Sequence, residues 1–309
     1  INMCFGSFTA HGKETWGLMK EEGAVLVDAG TASSFPNLKS AIANNCLEKI
    51  GAELIVKPID IPLEDINYLP VIGNPDKILC VGLNYHDHRL EGGHGEVGEP
   101  TIFVRFANAQ IGHGEAIIAP MEPDTLDFEA ELAIIIGKPG RRIPEEEAFD
   151  YIAGYSCYND GSVREYQRHT TQFTAGKNFM ATGGFGPWMV TPEELVDLEN
   201  VTVKSRLNGE VMQHAKVADM IFPIPKLINY ISTFTELSPG DVIATGTPGG
   251  VGSRRNPQVW MRPGDVCEIE ISGIGVIRKP IIGILSTGDE LIEPGENNQL
   301  GKILSLIHI

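Results

Sequence analysis

The stretch LDFEAELAIIIGK, residues 126–138, decides how this chain folds. Glu129 and Glu131 stand two residues apart in a strongly apolar run. A strand's period of two sends both carboxylates to one face, while Phe128, Ala130 and Leu132 point to the other. Beyond Glu131 every position up to Ile136 is apolar, the pattern of a strand buried on both faces with the acids at its rim. Further strand-like segments follow through the body of the chain: KILCVGL, TIFVRF, GPWMV, VTVKSRLNG, DVIATG and DVCEIEISGIGVIRK, punctuated by NGE and two PGD turns. Helical patterns are confined there to EEEAFDYI, SVREYQRH and IPKLINYISTF. Strands outnumber helices and do not alternate with them, which disfavours both an eightfold β–α barrel and a doubly wound sheet. The expected class is α+β, predominantly β, with helices at the periphery.

Upstream, CFGSFT, WGLMK and AVLVD read as short strands, and LKSAIANNCLEKIG (38–51) as one helix stopped by Gly51. The Pro- and Gly-bearing segment YLPVIGNPDK then marks a boundary. The expected organisation is a small N-terminal α+β domain over 1–70, a catalytic domain over 71–280 and a separate tail over 281–309.

The chain has 309 residues, with 24 Lys and Arg against 41 Asp and Glu, a formal charge of −17. Without a basic tract there is no electrostatic footprint for nucleic acid, and the acidity disfavours an anionic membrane surface. No apolar run is long enough to span a bilayer, and the first residues, INMCFGSFTAHGK, carry no export signal. Five widely spaced cysteines without a CxxC pair fit reduced thiols in a cytoplasmic protein and disfavour a structural thiolate zinc site.

Three carboxylates are candidates for a hard divalent cation: Glu129, Glu131 and Asp160, the last in YSCYNDGS where a strand runs into a turn. Spacing alone also allows an ordinary solvated strand edge. In CVGLNYHDHRLEGG, one helical turn would set His88 beside Glu91, a pair able to act as general base; a chance polar turn is the alternative. If GSVREYQRH is helical, Asp160, Arg164 and Gln167 share a face, and an Arg fork with an amide suits a carboxylate or keto acid. Lys177, in FTAGKNF, could offset charge on an enolate. The loop VIATGTPGGVG exposes small residues, among them Gly246 and Thr247, to an anion, but it matches neither GxxxxGK[ST] nor GxGxxG. No GxSxG elbow is present, so a metal or a His–Glu base must carry any chemistry.

With these residues assembled, the chain resembles the fumarylacetoacetate hydrolase family over roughly residues 5–280. The resemblance rests on GLNYHDH with Glu91, DFEAELAIIIGK, YNDGSVREYQ, GKNF, RLNGEVMQ, PGDVIATGTPGGVG and PGDVCEIEISGIG in order. It implies a mixed β-sandwich roll and an Mg²⁺- or Mn²⁺-dependent enzyme acting on 2-oxo acids, usually as a homodimer. By the same resemblance Glu129, Glu131 and Asp160 are metal ligands and His88 with Glu91 is the dyad of the smaller members. Lys177 is the family lysine, Arg164 and Gln167 contact substrate, and Thr247 with Gly246 lies in the loop that holds the substrate carboxylate. Two positions depart from the family pattern. Met180 replaces an Asp that often follows the lysine segment, and Val81 stands where the larger fumarylacetoacetases carry another carboxylate, which favours the acylpyruvate-hydrolase-like or hydratase-like group.

The expected reaction is hydrolytic C–C cleavage of a 2,4-dioxo acid by water that His88 and Glu91 activate. A hydratase, tautomerase or decarboxylase at the same site is the nearest alternative, and a catalytically silent, metal-stabilised protein is the alternative of another class. The tail segment GILSTGDELIEPGENNQLGKI instead resembles part of a molybdopterin molybdotransferase, and the final LSLIHI looks like a translated sequencing adapter. No function is expected of it.

Overall fold

The computed structural model describes residues 3–283 apart from 94, 97, 122 and 123, together with two short strands, Leu291–Ile292 and Ile303–Leu304. The expectations for the tail fall almost entirely outside the described residues.

The acid-bearing segment forms the strand Ala130–Ile136, buried at every position. It sits inside a 12-stranded sheet, antiparallel to Ile152–Asn159 on one side and Val242–Ala244 on the other. Its two faces meet different surroundings, as strand alternation requires. Ala130, Leu132, Ile134 and Ile136 pack into a core shared with Val203, Ile269, Ile271 and Ile277 of a second, five-stranded sheet. Ala133 and Ile135 face the opposite way, into a core with Leu38, Ile42, Ile50 and Leu54. The result is a sandwich of two sheets with helices outside, a mixed α+β fold dominated by β-structure.

The N-terminal segment contributes to both layers of that second core. Its strand Cys4–Ala10 joins the large sheet through Cys4 opposite Val190 and Phe5 opposite Met189. The expected single helix over 38–51 is two: Leu38–Ala43 and Leu47–Ile55, broken where Asn45 takes φ +53°. Asn tolerates that left-handed conformation better than most residues, which is why a consecutive Asn pair interrupts an otherwise apolar helical pattern. The first of the two helices starts from Asn37, whose side chain accepts from the Ser40 N–H while the Ser40 hydroxyl accepts from the Asn37 N–H.

Two other helical expectations also change. EEEAFDYI is a 3₁₀ segment, Glu145–Tyr151, and SVREYQRH is helical only over Arg164–Gln167. In the latter, Ser162–Val163 pairs with Leu126–Asp127, so the first two residues are held in a β-ladder and cannot enter the helix. IPKLINYISTF forms the helix Ile224–Phe234 as its apolar spacing requires, burying Leu227, Ile228 and Ile231.

Candidate active site

Sheet register brings the acids together. Ala130 lies opposite Asn159, so Glu129 and Asp160 leave adjacent strands at the same end, and the Asp160 N–H donates to the Glu129 carbonyl at 3.0 Å. The carboxylates of Glu129, Glu131 and Asp160 are buried, with one oxygen of each within 4.8 Å of the others. Three such charges are tolerable only with compensation. Lys177 Nζ donates to Glu129 Oε2 at 2.9 Å and to Asp160 Oδ2 at 2.6 Å, and lies 4.9 Å from the centre of the Phe103 ring. Arg164 Nη1 donates to Glu129 Oε1 at 2.6 Å, and Arg105 Nη1 to Asp160 Oδ1 at 2.5 Å.

These cations are shared unevenly. Burial opposes ionisation of Glu129, but Lys177 and Arg164 outweigh it and hold this carboxyl well below its usual range. Burial likewise opposes the Lys177 charge, and Asp160 and Glu129 more than offset it. Glu131 forms no ion pair among the described residues; one of its oxygens accepts from the Gly246 N–H at 2.9 Å. Burial, then the charges of Asp160 and Glu129, push its carboxyl well above the ordinary value. A buried carboxylate facing two others and lacking a cation of its own is the feature a divalent ion would satisfy. The donors are all hard oxygens, the set suited to Mg²⁺ or Mn²⁺.

The second group comes from the helix His86–Glu91. His88 Nδ1 and Glu91 Oε1 are 2.8 Å apart, the contact expected from their spacing, and Glu91 Oε2 accepts from the Gly250 N–H at 2.9 Å. The carboxylate thus ties the imidazole to the glycine loop and leaves Nε2 as the uncommitted ring nitrogen. Asn84 anchors the segment leading into this helix: its Nδ2 donates to the Thr245 and Phe222 carbonyls, and its Oδ1 accepts from the Phe222 N–H.

A cavity of about 350 Å³ joins the two groups, and His88, Glu129, Arg164, Gln167, Lys177 and Thr247 all line it. Gly246 is placed differently from the sequence expectation. Its N–H is engaged by Glu131 behind the wall, because φ +106° turns the peptide toward the acid cluster. The expected common helical face of Asp160, Arg164 and Gln167 is also not formed, since the helix begins only at Arg164. Arg164 and Gln167 do meet, Nη1 to Oε1 at 2.9 Å.

Three positioning residues escaped the sequence reading. Asp127 is buried and accepts from Arg164 Nε at 2.8 Å and from the N–H groups of Gly252 and Ser253. Its signal was present, since 127, 129 and 131 are three acids of one parity. Arg105 ends an apolar strand as its lone charge. Gln213, within RLNGEVMQ, accepts from the Ala130 N–H and donates to Thr247 Oγ1, bracing the acid strand against the threonine loop. Of the two departures noted above, Val81 is a buried part of the cavity lining, and Met180 is 60% exposed while Lys177 keeps its two carboxylates.

The sandwich, the buried acid cluster and the cavity it shares with the His88–Glu91 pair are those of an enzyme with a metal-associated site. The chain belongs to the fumarylacetoacetate hydrolase family: the family's C-terminal model, fumarylacetoacetate (FAA) hydrolase, matches residues 77–282. Among its relatives is the mitochondrial oxaloacetate tautomerase fahd2 of Xenopus laevis, 40% identical over 220 residues, which span 71% of this chain and 69% of that protein. Similar solved structures include 5-carboxymethyl-2-hydroxymuconate delta-isomerase from Mycobacterium smegmatis, with 28% identity and a TM-score of 0.72 over 92% of this chain and 100% of that one. Fumarylacetoacetate hydrolase from the psychrophile Exiguobacterium antarcticum gives 29% identity and a TM-score of 0.74 over 91% and 100%. The family match ends before the tail and lends nothing to its resemblance to a molybdotransferase.

Proposed function

We propose that this chain is a keto–enol isomerase of 2-oxo acids, dependent on Mg²⁺ or Mn²⁺, rather than primarily the C–C hydrolase its motifs first suggest. The observation that carries the reading is a histidine fixed by a carboxylate across a cavity from a lysine-bearing acid cluster, in a chain 40% identical to an oxaloacetate tautomerase.

Tautomerisation needs one proton moved between C3 and the 2-oxygen. In this reading His88 Nε2 takes the enol O–H proton, leaving an enolate, and delivers it to C3 as the 2-oxo group forms, the reverse reaction running through the same two transfers. Glu91 on Nδ1 fixes the ring and stabilises its protonated form. Lys177 and Arg164 offset negative charge as the enolate forms, and Arg164, Gln167 and Thr247 orient the 1-carboxylate. Glu129, Glu131 and Asp160 would hold the cation. When bound, that ion supplies Lewis-acid polarisation of the 2-oxo acid.

Hydrolysis of a 2,4-dioxo acid would use the same dyad to activate water, and the likeness to a fumarylacetoacetate hydrolase keeps it as the second reading. A homodimer in the cytoplasm completes the proposal; Val104 and Phe106, both exposed beside Asn178, offer apolar surface for a subunit contact. Product analysis with Mg²⁺ across enol oxaloacetate, 2-hydroxydienoates and acylpyruvates tests the reaction. One isomerised product with acylpyruvates left intact supports isomerisation. Two carbon fragments from an acylpyruvate as the dominant turnover would return the assignment to hydrolysis.

A further inference from the structure

Two arginines that play no part in the site described above reach the same cavity. Arg168 caps the short helix Arg164–Gln167, and Arg254 ends the 3₁₀ turn Gly252–Arg254; both line the cavity together with Ser253. Both are exposed, and neither guanidinium makes an ion pair or hydrogen bond among the described residues. Arg164, 4% exposed, lines the same cavity and bonds the acid cluster through Glu129. Its Nε and Nη1 are held by Asp127, Glu129 and Gln167, but Nη2 is buried with no partner.

The arrangement is unfavourable as it stands. Partial burial, then the charges of Arg254 and Arg164, hold Arg168 below the usual arginine range, with Asp127 only partly opposing. This occurs in a chain of net charge −17, where carboxylates are the commoner neighbour. Two planar guanidinium forks that line one cavity and make no ion pair or hydrogen bond among the described residues match what a carboxylate recognises.

We propose that Arg168 and Arg254 form a subsite for the second, distal carboxylate of a dicarboxylic 2-oxo acid, so that this chain selects dicarboxylates over monocarboxylates of equal length. The inference rests on the reading above for the 2-oxo end of the substrate. The acid cluster and dyad take the 2-oxo carboxylate end, and the arginine pair takes the other. Each is a specificity residue, remote from the exchanged proton.

Calorimetry on the Mg²⁺-loaded full chain tests the subsite directly, with 2-oxoglutarate and 2-oxopentanoate as a pair equal in carbon number and differing by one carboxylate. Charge-assisted hydrogen bonds of this kind favour the dicarboxylate by about tenfold to a hundredfold in affinity. That preference should fall below about threefold in the double variant R168Q/R254Q and recover in part in R168K/R254K, with 2-oxopentanoate affinity unmoved. Equal binding of the two acids by the wild type, or an undiminished preference in R168Q/R254Q, would overturn the subsite. Turnover of enol oxaloacetate measured in parallel separates the two claims. A dicarboxylate preference lost in R168Q/R254Q, in a wild type that does not tautomerise, leaves the subsite standing and removes the isomerase reading. Tautomerisation without the preference removes the subsite alone.

Discussion

Lys279 is a buried lysine without an ion pair among the described residues. It sits in the strand Gly275–Gly283, fully buried, and its Nζ has no hydrogen-bond partner. Burial lowers it from 10.5 to about 7, with Glu115 only partly opposing. The consequence for stability has a definite sign. Between these two values the unfolded chain binds a proton that the folded chain does not, so stability rises with pH from about 7 to 10.5, by up to roughly 1.4 kcal/mol for each unit crossed. Below about 7 both states are protonated and the full penalty persists. Lys279→Met keeps the volume and removes the penalty. Urea melts should show the variant more stable than wild type at neutral pH, with the difference shrinking toward pH 10. A pH-independent difference, or a destabilised variant, would mean that Lys279 finds a partner. Buried charge was not readable here from sequence, because RKPI at a strand end looks like any solvated edge.

At the scale of elements, the strand carrying Glu129 and Glu131 and the loop after Ala244 act as one unit. Gly246 is the joint. At φ +106° it adopts a conformation that L side chains rarely take, and an added Cβ would meet Asn84 Cβ at 2.7 Å and the Val81 carbonyl at 3.0 Å. Gly246→Ala should therefore shift the loop, break the N–H contact to Glu131 and weaken Mg²⁺ affinity by about tenfold, as loss of an outer partner of a metal ligand commonly does. Titrating the ion into both proteins checks this, and equal affinities would show that the loop does not support Glu131. The alternation of 126–138 made the strand and its two faces legible in advance. The loop's role was not, because a run of small residues reads as an anion cradle until the register shows which N–H faces which acid. The same holds for GSVREYQRH: its helical spacing was real, but pairing of Ser162–Val163 with Leu126–Asp127 is a long-range fact that local pattern cannot contain.

For the whole molecule, the ordered series of motifs from GLNYHDH to PGDVCEIEISGIG identified the family, and the sandwich agrees. The motifs left the reaction open because the same acid cluster and His–Glu pair would serve a hydrolase, a hydratase or a tautomerase; what distinguishes them lies in the shape and charge of a cavity assembled from distant segments. Among the described residues no helix is long and apolar enough to cross a membrane. The central claim is that His88, held by Glu91, moves the C3 proton while the acid cluster holds the ion. The direct measurement is the decay of enol oxaloacetate absorbance with Mg²⁺-loaded wild type, the chelator-treated protein and Mg²⁺-loaded His88→Gln, with Mg²⁺ binding to the variant followed by calorimetry. The expected result is rapid decay for wild type alone, a loss of about a hundredfold or more in His88→Gln, and unchanged ion affinity in that variant. Decay at the wild-type rate in His88→Gln or in the chelator-treated protein would contradict it.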